Sequence, residues 1–196
     1  MPIDSGCLLF REEARASAAF SFDSADYIKV HEQNAAEAFA FWNYGPELSR
    51  RFRALKIWLT LRYYGRQRIA RTIAEDMAMA AYLGERVQAA PDFELLAEPQ
   101  LSICCFRYVP ASLSAEIDSL AARGQSSDEI NAELDRLNTN IMNAVQRGGR
   151  AYLSSANIRG KFALRACITN FRTTRADIDE TLEIIREAAR KSLAAD

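Results

Sequence analysis

Beyond Pro91 the hydrophobic pattern of this chain changes period, and that change limits the folds open to it more than any other feature. Phe93 to Leu96 and Leu101 to Val109 are short apolar runs of strand length, the second closed by Pro110. A Ser/Gly-rich stretch through Gly124, Gln125, Ser126 and Ser127 leads into helical spacing from Asp128 to Gln146, and Gly148 and Gly149 follow. Ser127 is placed to cap that helix, with Asp128 and Glu129 beside its positive end. Tyr152 to Ser155 and Phe162 to Ile168 read as two further strands, turned around Arg159 and Gly160. A last helix, Arg175 to Leu193, carries Ile178, Leu182, Ile185 and Ala189 on one face. The order strand, strand, helix, strand, strand, helix predicts a small antiparallel α+β domain with its helices on one face of the sheet.

Ahead of Pro91 the spacing is helical. Pro46 suits a first turn, and Leu48, Phe52, Leu55 and Leu59 recur at helical intervals as far as Gly65. A second helix is expected from Gln67 to Ala89, with Ile69, Ile73, Met77, Ala80 and Leu83 on one side. Gly6 to Phe10 reads as a buried strand, and the stretch from there to Gly45 has little periodicity. One early strand and a long irregular link cannot make a core, so the first 45 residues are expected to belong to a different domain.

Composition serves mainly to exclude. Apolar residues at 49%, charged residues at 26% and a formal charge of -1 describe a globular chain with no net field for nucleic acid or an anionic membrane. No apolar run has the length of a membrane span and no signal-peptide pattern opens the sequence, so a cytoplasmic protein is expected. Cys7, Cys104, Cys105 and Cys167 lie in apolar runs without a CxxC pair, and the chain has one histidine, His31. That pattern predicts reduced, buried thiols and no metal site. Of 25 basic residues only Lys29, Lys56, Lys161 and Lys191 are lysines, the only side chains able to form a Schiff base with a carbonyl cofactor.

Three segments carry a family resemblance. The run Leu48-Ser49-Arg50-Arg51-Phe52-Arg53-Ala54-Leu55-Lys56-Ile57-Trp58, with Leu61-Arg62-Tyr63-Tyr64-Gly65 after it, resembles the signature helix of the group II pyridoxal-phosphate-dependent amino-acid decarboxylases, the aromatic-amino-acid and glutamate decarboxylase group. Pro2-Ile3-Asp4-Ser5-Gly6-Cys7-Leu8-Leu9 resembles the segment just downstream of that family's His-Lys-Trp motif, and Lys161 to Ile168 resembles its late strand. The segments follow the family's order along almost the whole chain. The resemblance implies a type I fold: residues 1–45 as the remnant of a large cofactor domain, 46–90 as connecting helices and 91–196 as the small C-terminal α+β domain. It also implies a homodimer, or association with a missing N-terminal half, acting on a small-molecule amino-acid substrate, with no nucleic acid or membrane as partner.

Decarboxylation at Cα needs a lysine Schiff base, an electron sink and a donor to protonate the carbon that loses carbon dioxide. By the resemblance, the cofactor-binding lysine, the aspartate paired with the pyridine nitrogen and the ring-stacking histidine all stand ahead of Met1. The chain then carries part of an active site and not the residue that holds pyridoxal 5'-phosphate. The alternative is a non-catalytic dimerisation or interaction module. Within Asp26-Tyr27-Ile28-Lys29 the resemblance makes Tyr27 the catalytic proton donor. It makes Ser49 a contact to the phosphate of the partner subunit's cofactor, and Ile3 a residue lining the partner's substrate pocket. Arg50, Arg51 and Arg53 read as ion-paired or solvated flank, and Lys56 as a helix-flank lysine.

Overall fold

The computed structural model describes residues 6–20 and 41–194. The chain divides into two compact units, Met1–Arg66 and Gln67–Asp196. One long helical run crosses that division.

The second unit is built on a four-stranded antiparallel sheet. Its strands are β1 (Phe93–Gln100), β2 (Ile103–Tyr108), β3 (Ser154–Ile158) and β4 (Lys161–Cys167), in the spatial order β1-β2-β4-β3. Two hairpins therefore join through their second strands. The β3–β4 turn is the two-residue Arg159-Gly160, with φ of 53° and 85°, a left-handed pair whose twist matches the strands it joins. Asn157 Oδ1 accepts from the Gly160 N–H at 3.0 Å and holds that turn.

Helices α4 (Asp128–Gly148) and α5 (Arg175–Leu193) supply Leu137, Ile141, Val145, Ile178, Leu182 and Ile185 to a core with Cys104 and Phe106 of β2 and Leu164 and Ala166 of β4. Alternation sends Cys105, Arg107, Ala163 and Arg165 to the opposite face of the same strands. The expected α+β arrangement, an antiparallel sheet with α4 and α5 on one face, is thus observed. The helical run α2 (Arg53–Ala89) adds Ala80, Leu83 and Val87 from its last turns to the same core. α5 starts on a capping box in which Thr174 and Asp177 exchange hydrogen bonds. Arg186 of α5 then grips Asp92 through Nε at 2.6 Å and Nη2 at 2.8 Å, with its guanidinium over the Phe93 ring.

Between β2 and β4 the paired ladder stops at Phe106 and Leu164. Beyond that point α4 provides the missing partners. The Tyr108 N–H donates to Asn138 Oδ1 at 2.8 Å, and Asn138 Nδ2 donates to the carbonyls of Tyr108 and Leu134, both at 2.9 Å. Asp135 Oδ1 accepts from the Phe162 N–H at 2.9 Å. A fully buried asparagine in an otherwise apolar helix stripe is tolerated because its amide is satisfied on both sides.

Several expectations change. The stretch after Pro110 is not all loop: it forms helix α3 (Ala111–Ala122), whose Leu113, Ile117 and Leu120 pack on Val109, Ile130 and Leu134 as a second small core. The reason lies in their helical spacing, masked by the serines and glycine that follow. Ser127 precedes α4 but its side chain makes no capping bond, and Ser126 Oγ accepts from the Asp128 N–H instead. Pro46 is not in a first helical turn, because α2 begins at Arg53 and Leu48 and Ser49 lie in a bend. The break expected between two helices does hold: α2 consists of two helices that meet at a kink at Gly65, whose torsions are non-helical. Gly6 to Phe10 forms no strand, having no strand beside it to pair with among the described residues. Cys104 and Cys105 are buried, but Cys7 and Cys167 are exposed, so burial of all four thiols does not hold.

The first unit comprises α1 (Glu13–Phe20), a single 3-10 turn at Phe41–Tyr44 and the start of α2. Tyr44 donates to Glu13 Oε1 at 2.7 Å and ties the turn to α1. Many of its large apolar side chains face outward, among them Leu8, Leu9, Phe52, Trp58 and Tyr63.

Candidate functional site

Within the first unit, the segment that carries the signature residues folds around a cavity of about 650 Å³. Phe41, Trp42, Leu48, Phe52 and Ile57 line it together with the side chains of Arg50, Arg51 and Arg53. The arginines are anchored. Arg53 meets Glu47 with two parallel bonds, Nη1 to Oε2 at 3.0 Å and Nη2 to Oε1 at 3.3 Å. Those bonds hold the Glu47 carboxyl below its ordinary range, with the charges of Arg50 and Arg51 acting the same way. Arg50 donates from Nη2 to the Phe41 carbonyl at 3.1 Å and lies over the Phe41 ring. Arg50 and Arg53 are therefore structural partners of the turn, in line with reading them as ion-paired flank.

Ser49 sits between Leu48 and Arg50, exposed, four residues ahead of the first helical residue. Its hydroxyl does not cap α2. Tyr27 and Ile3 lie outside the described residues, as do Lys29 and His31. Arg165, on β4, donates from Nη1 to Ser154 Oγ at 3.3 Å on the sheet.

A carbonyl cofactor tests the remaining lysines. Lys161 is committed to Glu94 Oε1 at 2.8 Å, within a network that also holds the buried Arg107. Lys56 and Lys191 stand exposed on helices. Lys191 lines an open surface pocket with Asn140, Asn143, Arg147 and Ser192. No cluster of His, Cys, Asp or Glu among the described residues could hold a metal ion, and none of their helices is long and apolar enough to cross a membrane.

The sequence reading missed the Glu94 network. Arg107 Nε donates to Glu94 Oε2 at 2.6 Å and its Nη2 to Asn131 Oδ1 at 3.0 Å. Burial pushes the Glu94 carboxyl up, but the Lys161 bond and the Arg107 charge and bond together outweigh it and leave the group below its ordinary value. An arginine inside an apolar strand run was the available signal; which carboxylate would meet it depends on strand register.

The fold and the residues around the signature segment point to one class. The chain belongs to the pyridoxal-dependent decarboxylases: the model of that family's conserved domain matches residues 1–109. It is 33% identical over 184 residues to an aromatic-L-amino-acid decarboxylase of Bacillus atrophaeus, a match covering 94% of this chain and 34% of that protein. It is 26% identical to a phenylacetaldehyde synthase of a Rosa hybrid cultivar, across 98% of this chain and 36% of that protein. Among solved structures, it resembles the Oryza sativa TDC with PLP and tryptamine at a TM-score of 0.72 and 23% identity, over 93% of this chain and 34% of that one. It also resembles Rhodiola rosea 4-hydroxyphenylacetaldehyde synthase, with a TM-score of 0.62 and 27% identity over 80% of this chain and 30% of that one. The chain spans about a third of the length of the curated relatives it matches.

Proposed function

We propose that this chain is the C-terminal third of a pyridoxal-phosphate-dependent amino-acid decarboxylase, a carboxy-lyase that releases carbon dioxide from an L-amino acid to give an amine. The Schiff-base lysine is supplied by polypeptide outside this sequence. One observation carries the reading above all: the match to decarboxylases runs along 94% of the chain, through the signature segment and the small-domain sheet alike. On this reading residues 1–45 belong to the large cofactor domain, 46–90 connect the domains and 91–196 form the small domain. The complete enzyme is a cytoplasmic homodimer.

Three residues have roles. Tyr27 gives a proton to the substrate carbon from which carbon dioxide has left. Ser49 contacts the cofactor phosphate held by the partner subunit, and its exposed position on the bend before α2 is compatible with that. Ile3 lines the partner's substrate pocket. The relatives' names include aromatic-amino-acid decarboxylases, and an aromatic amino acid is the first substrate class to test.

The test joins this chain to a matching N-terminal portion of a relative and compares Tyr27→Phe with the parent. The phenylalanine keeps the ring and removes the proton donor. Amine formation should fall by about two orders of magnitude or more, with cofactor binding unchanged. Amine made at the parental rate would withdraw Tyr27. A joined protein that binds cofactor and assembles but releases no carbon dioxide from any amino acid would overturn the enzyme reading in favour of an interaction module.

A further inference from the structure

The C-terminal turns of α4 and α5 border an open cavity of about 380 Å³ on the surface of the second unit. Ala144 and Ala188 stand at its middle, side chains too short to fill the space between the two helices. Around them are Asn140, Asn143 and Arg147 from α4, and Lys191 and Ser192 from α5. The three α4 residues recur at i, i+3 and i+7, so one helix face presents them together. Among the described residues no carboxylate lines the cavity. The acidic side chains of α5 that precede Lys191 are engaged elsewhere, Glu187 with Arg150 at 2.9 Å and Glu183 with Arg186 at 2.6 Å. Arg147, Lys191, Asn140 and Asn143 make no ion pair and no side-chain hydrogen bond among the described residues. Ser192 gives its proton to the Ala188 carbonyl at 3.0 Å and is left as an acceptor.

Two terms decide what such a cavity takes. A helix C-terminus carries about half a negative charge, and a cation in the last turn offsets it. That accounts for one cation on each helix. It does not account for Asn140 and Asn143, which stand further back along α4 and add donors without charge. Two full positive charges against two half negative ones leave the cavity net positive. A dianion meets both cations at once, and the planar guanidinium of Arg147 suits an anion with several oxygens.

We propose that this cavity binds a phosphate dianion, free or carried by a small molecule, with Arg147 and Lys191 meeting its charge and Asn140 and Asn143 donating to its oxygens. The proposal does not rest on the decarboxylase reading, and its test reads no activity. The full chain is titrated calorimetrically with inorganic phosphate and with glycerol phosphate, at low salt and about pH 8, where both are dianions. Saturable binding at one site is expected. Tighter binding of the ester assigns the cavity to a phosphorylated molecule, and tighter binding of the inorganic ion assigns it to free phosphate. Arg147→Gln and Lys191→Gln should each weaken binding at least about fivefold, as loss of a charge-assisted hydrogen bond does, and Asn143→Ala at least about twofold. Arg136→Gln, which removes an exposed arginine of α4 outside the cavity, should leave affinity within about twofold, since a distant surface charge contributes little. Urea midpoints report that each variant remains folded. No saturable binding at millimolar phosphate, binding that survives Arg147→Gln unchanged, or an equal loss with Arg136→Gln would overturn the site and leave both cations as compensation for the helix ends.

Discussion

The two compact units treat apolar side chains in opposite ways. From Gln67 onward the sheet, α4, α5 and the end of α2 bury Phe106, Leu83, Leu164 and Ile185 almost completely, and the two buried polar side chains, Arg107 and Asn138, are hydrogen-bonded except at Arg107 Nη1. In the first unit Leu9 is 87% exposed and Phe52 73% exposed, side chains of the same chemistry left largely outward among the described residues. Sequence hydrophobicity alone does not separate the two regions. Among the described residues the difference is a second layer: two helices cross the sheet in one unit, while in the other Leu9 and Phe52 sit on coil.

The sharpest way to challenge this contrast is thiol reactivity. Cys104 is fully buried and burial, with the neighbouring Cys105 and Glu98 adding to it, pushes its thiol up to about 12. Burial also raises Cys105, partly offset by Arg165. Since the thiolate is the reacting species, Cys7 and Cys167 should react with an aromatic disulfide reagent at least about a hundredfold faster than the other two at neutral pH. Four fast thiols in the native protein would mean the sheet core is open. In urea all four should become equivalent.

A second prediction tests the polar plug between β2 and β4. Asn138→Leu keeps the side-chain volume but strands the Tyr108 N–H and carbonyl in a buried setting. Each orphaned group costs about 1–3 kcal/mol, so the urea midpoint should drop by the equivalent of about 3 kcal/mol in total. Thr139→Val, which removes a back-bond to the Asp135 carbonyl one residue along, should cost less than half of that. Equal losses would show that Asn138 acts only as helix filler.

The smallest effect belongs to the first unit. Leu9→Ser should change the unfolding free energy by less than about 0.5 kcal/mol, because an exposed leucine has no apolar area to forfeit. Dye binding and light scattering should nonetheless fall, since that side chain feeds association and not folding. A loss above about 2 kcal/mol would mean that Leu9 is buried in solution and would erase the difference between the units.

Much of the second unit was legible from spacing. Ile178, Leu182 and Ile185 recur at helical intervals, and Phe162 to Cys167 is short, apolar and follows a glycine turn, so element type and order could be read directly. Helix α3 escaped because Leu113, Ile117 and Leu120 are diluted by serine and alanine, and only its docking on Ile130 and Leu134 makes that stripe count. The candidate site was legible differently. The signature run from Leu48 to Gly65 identified the family by residue identity, while Tyr27 and Ile3 came from the resemblance and have no structural account.

What the sequence alone determined is the local part: the periods, the Arg159-Gly160 turn, the glycine at which α2 breaks, and membership of a decarboxylase family. The tertiary structure decided the rest. It alone sets the strand order β1-β2-β4-β3, the pairing of Arg107 with Glu94 and Asn131, and the use of Asn138 as a substitute strand partner. It also decides which apolar residues are buried and which are left outward. The physical reason is range. Turn and helix preferences act over a few neighbouring residues, whereas register and burial depend on partners such as Tyr108 and Asn138 that meet only once the sheet and α4 have closed together.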